Sequence, residues 1–187
     1  MKKILVLIIL ALFVSNCEAE KNDDDENLAL ALLLASSSSG PSCQVSITIN
    51  NRVREVPAPI TAFSSTEVGQ TKSVSKAKVS PFGIDHEIGV VTLTARVGSR
   101  ITFSGQHYVL VYKKAGGCPI GTSDLATINT SFSHSTALDS SSALASSYLA
   151  TSSNAITFNE AGEFLVVVYT GVTFSGTTAV TATLTTF

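Results

Sequence analysis

The chain has 187 residues, 44% hydrophobic and 14% charged, with a formal net charge of −2. That length holds one ordinary domain with terminal extras rather than two large domains. The charge excludes a strongly basic nucleic-acid binder, and a chain with only three His and three Cys is poorly equipped to be a multi-metal enzyme.

The chain opens with MKKILVLIILALFVSNCEAE. Lys2 and Lys3 make a basic start, and Ile4 to Val14 is an unbroken apolar run of eleven residues. A bilayer-spanning helix needs about twenty, whereas this length suits the apolar region of a secretion signal. The run ends in Val14-Ser15-Asn16-Cys17. This resembles the lipobox of bacterial lipoproteins, and the whole N-terminus looks like the spirochaetal form. The resemblance implies a signal peptide over residues 1–16, removed by cleavage, and a diacylglycerol on the Cys17 thiol. Asn16 stands where the family usually has Gly or Ala. The other reading is a plain secreted protein with a chance Cys near its cleavage site.

Residues 17–42 read as a lipidated tether. Glu18, Glu20, Asp23, Asp24, Asp25 and Glu26 supply six of the fourteen acidic residues. Such a run repels itself and stays extended. A calcium site is the sharper alternative, but consecutive carboxylates on a flexible chain form no preorganised cage. Leu28 to Ala35 is Leu-rich on every face and ends at a Ser-rich linker, Ser36 to Pro41. It either docks on the folded domain or rests on the bilayer surface.

From Cys43 the texture changes to Val-, Ile-, Thr- and Phe-rich segments broken by Gly, Ser, Asn and Pro, a strand-and-turn pattern. Cys43 to Asn50 alternates, with Val45, Ile47 and Ile49 on one face. In Ile88 to Val97, Val91, Leu93, Ala95 and Val97 share a face. Gly98-Ser99 predicts a hairpin into Arg100 to Ser104. His107 to Lys113 predicts a strand with Tyr108, Leu110 and Tyr112 opposite Val109 and Val111. Ser131 to Asn154 is Ser- and Ala-rich and reads as loop, helix or strand. Phe164-Leu165-Val166-Val167-Val168 is apolar on both faces and predicts a central, covered strand. The last strand puts Val180, Ala182 and Leu184 inward. About eight short strands over residues 43–187 predict an all-β fold, a β-sandwich of jelly-roll or Ig-like type.

The segment from Ala155 to Tyr169, with Val97 to Phe103, Tyr108 to Lys113 and Ser175-Gly176-Thr177-Thr178, is similar to the bacterial pre-peptidase C-terminal domain. That resemblance covers roughly residues 88–187. It implies a jelly-roll-like accessory module, displayed here without a peptidase. Gln106-His107 stand where the family often carries Asp, so calcium binding is not carried over.

With Cys17 lipidated, Cys43 and Cys118 remain, and an even pair in an exported protein reads as a disulfide. Two separate buried thiols are the alternative. Asp85-His86-Glu87 reads as an exposed turn rather than a metal site, because neighbours on a strand face opposite sides. His86, His107 and His134 accompany abundant Ser, yet there is no Gly-x-Ser-x-Gly elbow, phosphate loop or Cys-x-x-Cys. Asn129-Thr130-Ser131 matches a glycosylation sequon, which means little in a bacterial setting. Lys72, Lys76 and Lys78 have even spacing, so one strand face would carry all three. Such a stripe binds an anionic partner or lipid headgroups, or guards an edge strand against aggregation.

The expectation is a lipid-anchored, exported envelope protein, structural or interacting, with no catalytic residue and no cofactor or metal. Its partners are the membrane through Cys17 and an unidentified protein, not nucleic acid. The outer membrane or cell surface is favoured over the inner membrane. The alternatives are an adhesin-like binder of host or matrix macromolecules, and a small hydrolase with an unrecognised Ser/His site.

Overall fold

Alternating Val, Ile and Thr residues give the chain its strands, and the way those strands are shared between two sheets sets everything else. The computed structural model describes residues 40–49, 51–83, 85–105, 107–135, 144–148, 154–170 and 179–187. The expected signal peptide, Cys17, the acidic tether and Leu28 to Ala35 lie outside these residues. Twelve strands are described: β1 (Ser42–Ile49), β2 (Arg52–Phe63), β3 (Thr71–Ser73), β4 (Ala77–Val79), β5 (His86–Ala95), β6 (Arg100–Ser104), β7 (His107–Lys113), β8 (Phe132–His134), β9 (Leu144–Tyr148), β10 (Asn154–Phe158), β11 (Gly162–Thr170) and β12 (Thr181–Thr186). Short 3-10 turns at Ser65–Glu67 and Thr122–Asp124 are the helical pieces among the described residues.

The larger sheet has seven strands, ordered β1-β2-β5-β11-β7-β9, with β4 also on β5. The smaller has five, ordered β3-β12-β6-β10-β8. The domain is therefore all-β with two sheets. β11 sits between β5 and β7, as its doubly apolar sequence predicts. Phe164, Val166 and Val168 face the smaller sheet, where they meet Ile101, Phe103, Ile156, Phe158, Ala182 and Leu184 in one buried cluster. Leu165 and Val167 face the other way, into a second cluster with Cys43, Val45, Val56, Ala58, Ile88, Val90 and Ile120. Burying a Phe or Val side chain contributes about 1.5–3 kcal/mol, so a strand apolar on both faces anchors both cores.

The second cluster exists because β2 changes partner. Its residues from Arg52 to Pro59 pair antiparallel with β1, while Ile60 to Phe63 pair parallel with β5. The Ile60 N–H donates to the Pro41 carbonyl at 3.0 Å, on the β1 side. Backbone direction alternates along a strand, so Pro57 and Pro59 put their N–H-free nitrogens on the opposite side. That side carries no ladder to β5 until Ile60. The β1–β2 hairpin thus lies over the outer face of the larger sheet. Residue 120 fastens it: the Ser46 N–H donates to the Ile120 carbonyl at 2.9 Å, and the Ile120 N–H to the Gln44 carbonyl at 3.0 Å.

Two expectations are corrected. Gly98-Ser99 does not close a hairpin, because β5 belongs to the larger sheet and β6 to the smaller. The turn carries the chain across the core, and the Gly98 and Phe158 N–H groups brace it, donating to the Phe158 and Ser99 carbonyls at 2.8 Å each. The strands also outnumber the expected eight, since β2 and the three-residue strands β3, β4 and β8 escape sequence patterning. Within Ser131 to Asn154, the described residues include β8, β9 and the first residue of β10.

The crossing from β3 to β4 is permitted by one glycine. Gly89 of β5 faces the smaller sheet, and a Cβ there would lie 2.1 Å from the Ser75 carbonyl oxygen. The Ser75 N–H donates to Thr61 Oγ1 at 3.0 Å, which holds the chain tight against that gap.

Candidate functional site

The hairpin covers the second cluster unevenly. At one end Cys43, Val45, Val56 and Ala58 close down on Val90, Leu165 and Ile120. There Cys43 and Cys118 are bonded, with Cα atoms 5.3 Å apart, as expected of the pair. Towards the hairpin tip, β1 stands off the sheet and leaves a cavity of about 320 Å³. Its roof is Val45 to Thr48; its floor is Ile88, Val167 and Leu110 from three adjacent strands. Thr122 and Leu125 close one end, and Tyr112 pairs with Leu125 through an isolated bridge.

The aromatic side of the cavity comes from strand register. Tyr169 lies opposite Tyr108 in the β11–β7 ladder, and their rings stack at 5.1 Å. Tyr169 also lies opposite Ile88, and His86, two residues earlier on β5, meets its ring edge-on at 6.4 Å. Burial pushes the Tyr112 and Tyr169 phenols up to about 12, so both are neutral donors at any physiological pH. Among the described residues the buried His86 Nδ1 has no hydrogen-bond partner. Among the described residues no Asp, Glu, Lys or Arg lines the cavity. The arrangement can hold an apolar body with a small polar end.

The other residues singled out in the sequence are dispersed. Lys72 lies on β3 in the smaller sheet, Lys78 on β4 in the larger, and Lys76 in the connection between them. The expected single strand face carrying all three does not form, because the chain changes sheets between them. Each faces a carboxylate: Lys72 with Glu67 at 2.7 Å, Lys76 with Glu87 at 2.6 Å, Lys78 with Asp85 at 2.5 Å. Lys72 also donates to the Ala62 carbonyl at 2.6 Å and lies over the Phe63 ring. Its hydrogen bond, with that from the Ser64 N–H, holds the Glu67 carboxyl down at about 2.

The expected exposed turn at Asp85-His86-Glu87 is instead the entry to β5: His86 and Glu87 are already paired with Val79 and Lys78. His107 is fully buried on β7 beside Phe103, its Nδ1 2.9 Å from the Gly105 carbonyl oxygen. Burial pushes its imidazole down to about 4. His134 lies on β8 near Phe132. The three histidines therefore occupy three separate settings. Among the described residues no group of His, Cys, Asp and Glu is placed to hold a metal ion, and no helix is long and apolar enough to cross a membrane. Sequence reasoning missed the cavity. Its floor residues were legible as one face of β7 and β11, but nothing local announced that the hairpin would stand off them.

No family model matches the chain, and neither a curated protein nor a solved structure shows significant similarity to it.

Proposed function

We propose that the chain is an exported lipoprotein, held to a membrane by acyl chains on Cys17, whose all-β domain is a non-enzymatic structural or interaction module of the envelope. The observation that carries this reading is the order Lys2-Lys3, apolar Ile4 to Val14, then Cys17. The Cys43–Cys118 bond supports it, because such bridges persist in oxidising, exported compartments. Acyl anchoring by two or three chains is stable, since each buried CH₂ contributes about 0.8 kcal/mol. The same reading takes the domain as a β-sandwich of jelly-roll or Ig-like type, similar to the pre-peptidase C-terminal module, and displays it on the outer membrane or cell surface.

Radiolabelled palmitate incorporation and detergent-phase partitioning, each compared between the natural chain and Cys17→Ser, test the anchor. The natural chain should take up label and partition into detergent, and the variant should do neither. Unlabelled protein, or detergent partitioning that survives the substitution, overturns it. Protease shaving of intact cells then reports whether the domain faces outward.

A further inference from the structure

We infer that the cavity beneath the β1–β2 hairpin is a binding site for an uncharged amphiphile, a molecule with an apolar chain of medium length and a hydroxyl at one end. This goes beyond the anchoring role, because it concerns the folded domain and not Cys17.

The cavity holds about 320 Å³, roughly twice the ~150 Å³ apolar cavity that takes up one benzene. It also falls in the range of small-molecule sites, which begins at about 300 Å³. The floor crosses β5, β11 and β7 at Ile88, Val167 and Leu110 and continues to Leu125 beside Tyr112. Neighbouring strands lie about 4.8 Å apart, so the cavity is a slot running across strands, suited to an extended chain.

Charge sets the chemical class. With no ionic side chain among the described lining residues, a charged headgroup would enter without a counter-ion and lose its hydration, a cost of several kcal/mol. A purely apolar guest would leave the polar groups as they are. Those groups are the His86 Nδ1, buried and without a hydrogen-bond partner among the described residues, and the phenols of Tyr112 and Tyr169. An unsatisfied buried polar atom costs about 1–3 kcal/mol. A hydroxyl both donates and accepts, so one such group answers a phenol donor and an imidazole nitrogen together. The Ser46, Thr48 and Thr122 side chains at the roof and end add neutral polar contacts only.

The test uses the full chain in its native membranes and a ten-carbon alcohol carrying a diazirine. After photolysis, adducts are mapped by peptide mass spectrometry. Adducts should concentrate on peptides containing residues 45–48, 110–112 and 122–125. Excess 1-decanol should suppress them, and decane should compete about tenfold less well, the equivalent of one such hydrogen-bonded contact. Ile47→Trp, which fills the slot from its roof, should abolish labelling. Tyr169→Phe removes a single oxygen and retains the stacked ring, so it controls for misfolding: labelling should persist while the preference for decanol over decane shrinks. Labelling spread evenly over the domain, labelling undiminished by Ile47→Trp, or equal competition by decane and decanol in the natural chain overturns the inference.

Discussion

Replacing both Cys43 and Cys118 with Ala should cost about 3–5 kcal/mol of stability, almost all of it through the unfolded chain. The bridge spans a sequence separation of 75 residues. Closing a loop of that length removes about 4.5 kcal/mol of denatured-state chain entropy at 25 °C. The folded state should change little, because the Ser46–Ile120 and Ile120–Gln44 hydrogen bonds hold the same two segments side by side without the sulfurs. Cys43 is completely buried in the second cluster, so its lost sulfur adds a smaller packing term. Urea titration of the natural and doubly substituted chains, followed by near- and far-ultraviolet circular dichroism, measures both parts. The substituted chain should show a lower midpoint together with a larger m-value, since the unbridged chain expands further on unfolding. A loss under about 1 kcal/mol with an unchanged m-value would refute the entropic argument.

Gly89→Ala should destabilise by about 1–3 kcal/mol, because the new methyl would lie against the backbone oxygen of Ser75 rather than a side chain that can move; a thermal midpoint within error of the natural chain would contradict this. His107 should make stability fall with acid. Its folded pKa is depressed to about 4 from 6.5, chiefly by burial, so between those values the unfolded state binds more protons. Stability contributed by the neutral ring is full above pH 6.5 and lost as pH falls towards 4, by up to about 3 kcal/mol. His107→Leu should flatten that part of a pH–stability curve measured in urea. The Glu67 carboxyl should titrate near pH 2 by carbon NMR, and Lys72→Met should move its midpoint upward, because the Lys72 hydrogen bond is the largest cause of the depression.

How much of this was legible depended on whether the information was local. β11 could be read directly, since a strand covered on both faces has to be apolar at every position from Phe164 to Val168. β7 and β12 showed their faces by simple alternation. β2 did not, because Arg52, Arg54, Glu55, Pro57 and Pro59 interrupt the apolar pattern on a strand whose first half reaches out into solvent. The Gly98-Ser99 turn misled because a tight turn looks the same whether the following strand pairs with its predecessor or crosses to the other sheet. Lys72, Lys76 and Lys78 misled for a related reason: even spacing fixes a face only while one strand continues, and here the chain leaves the smaller sheet at Ser75. The cavity was the least legible feature. Val45, Ile88, Leu110, Val167 and Tyr169 each look like ordinary core positions, and only the partner change within β2 reveals that the roof stands clear of the floor.

The most direct measurement is the mass of the N-terminal peptide of the protein recovered from its membranes. The mature chain should begin at Cys17, and this residue should carry a diacylglyceryl group, with or without an acylated amino group. A mature chain that begins elsewhere, or one in which Cys17 is recovered with an unmodified thiol, would contradict it.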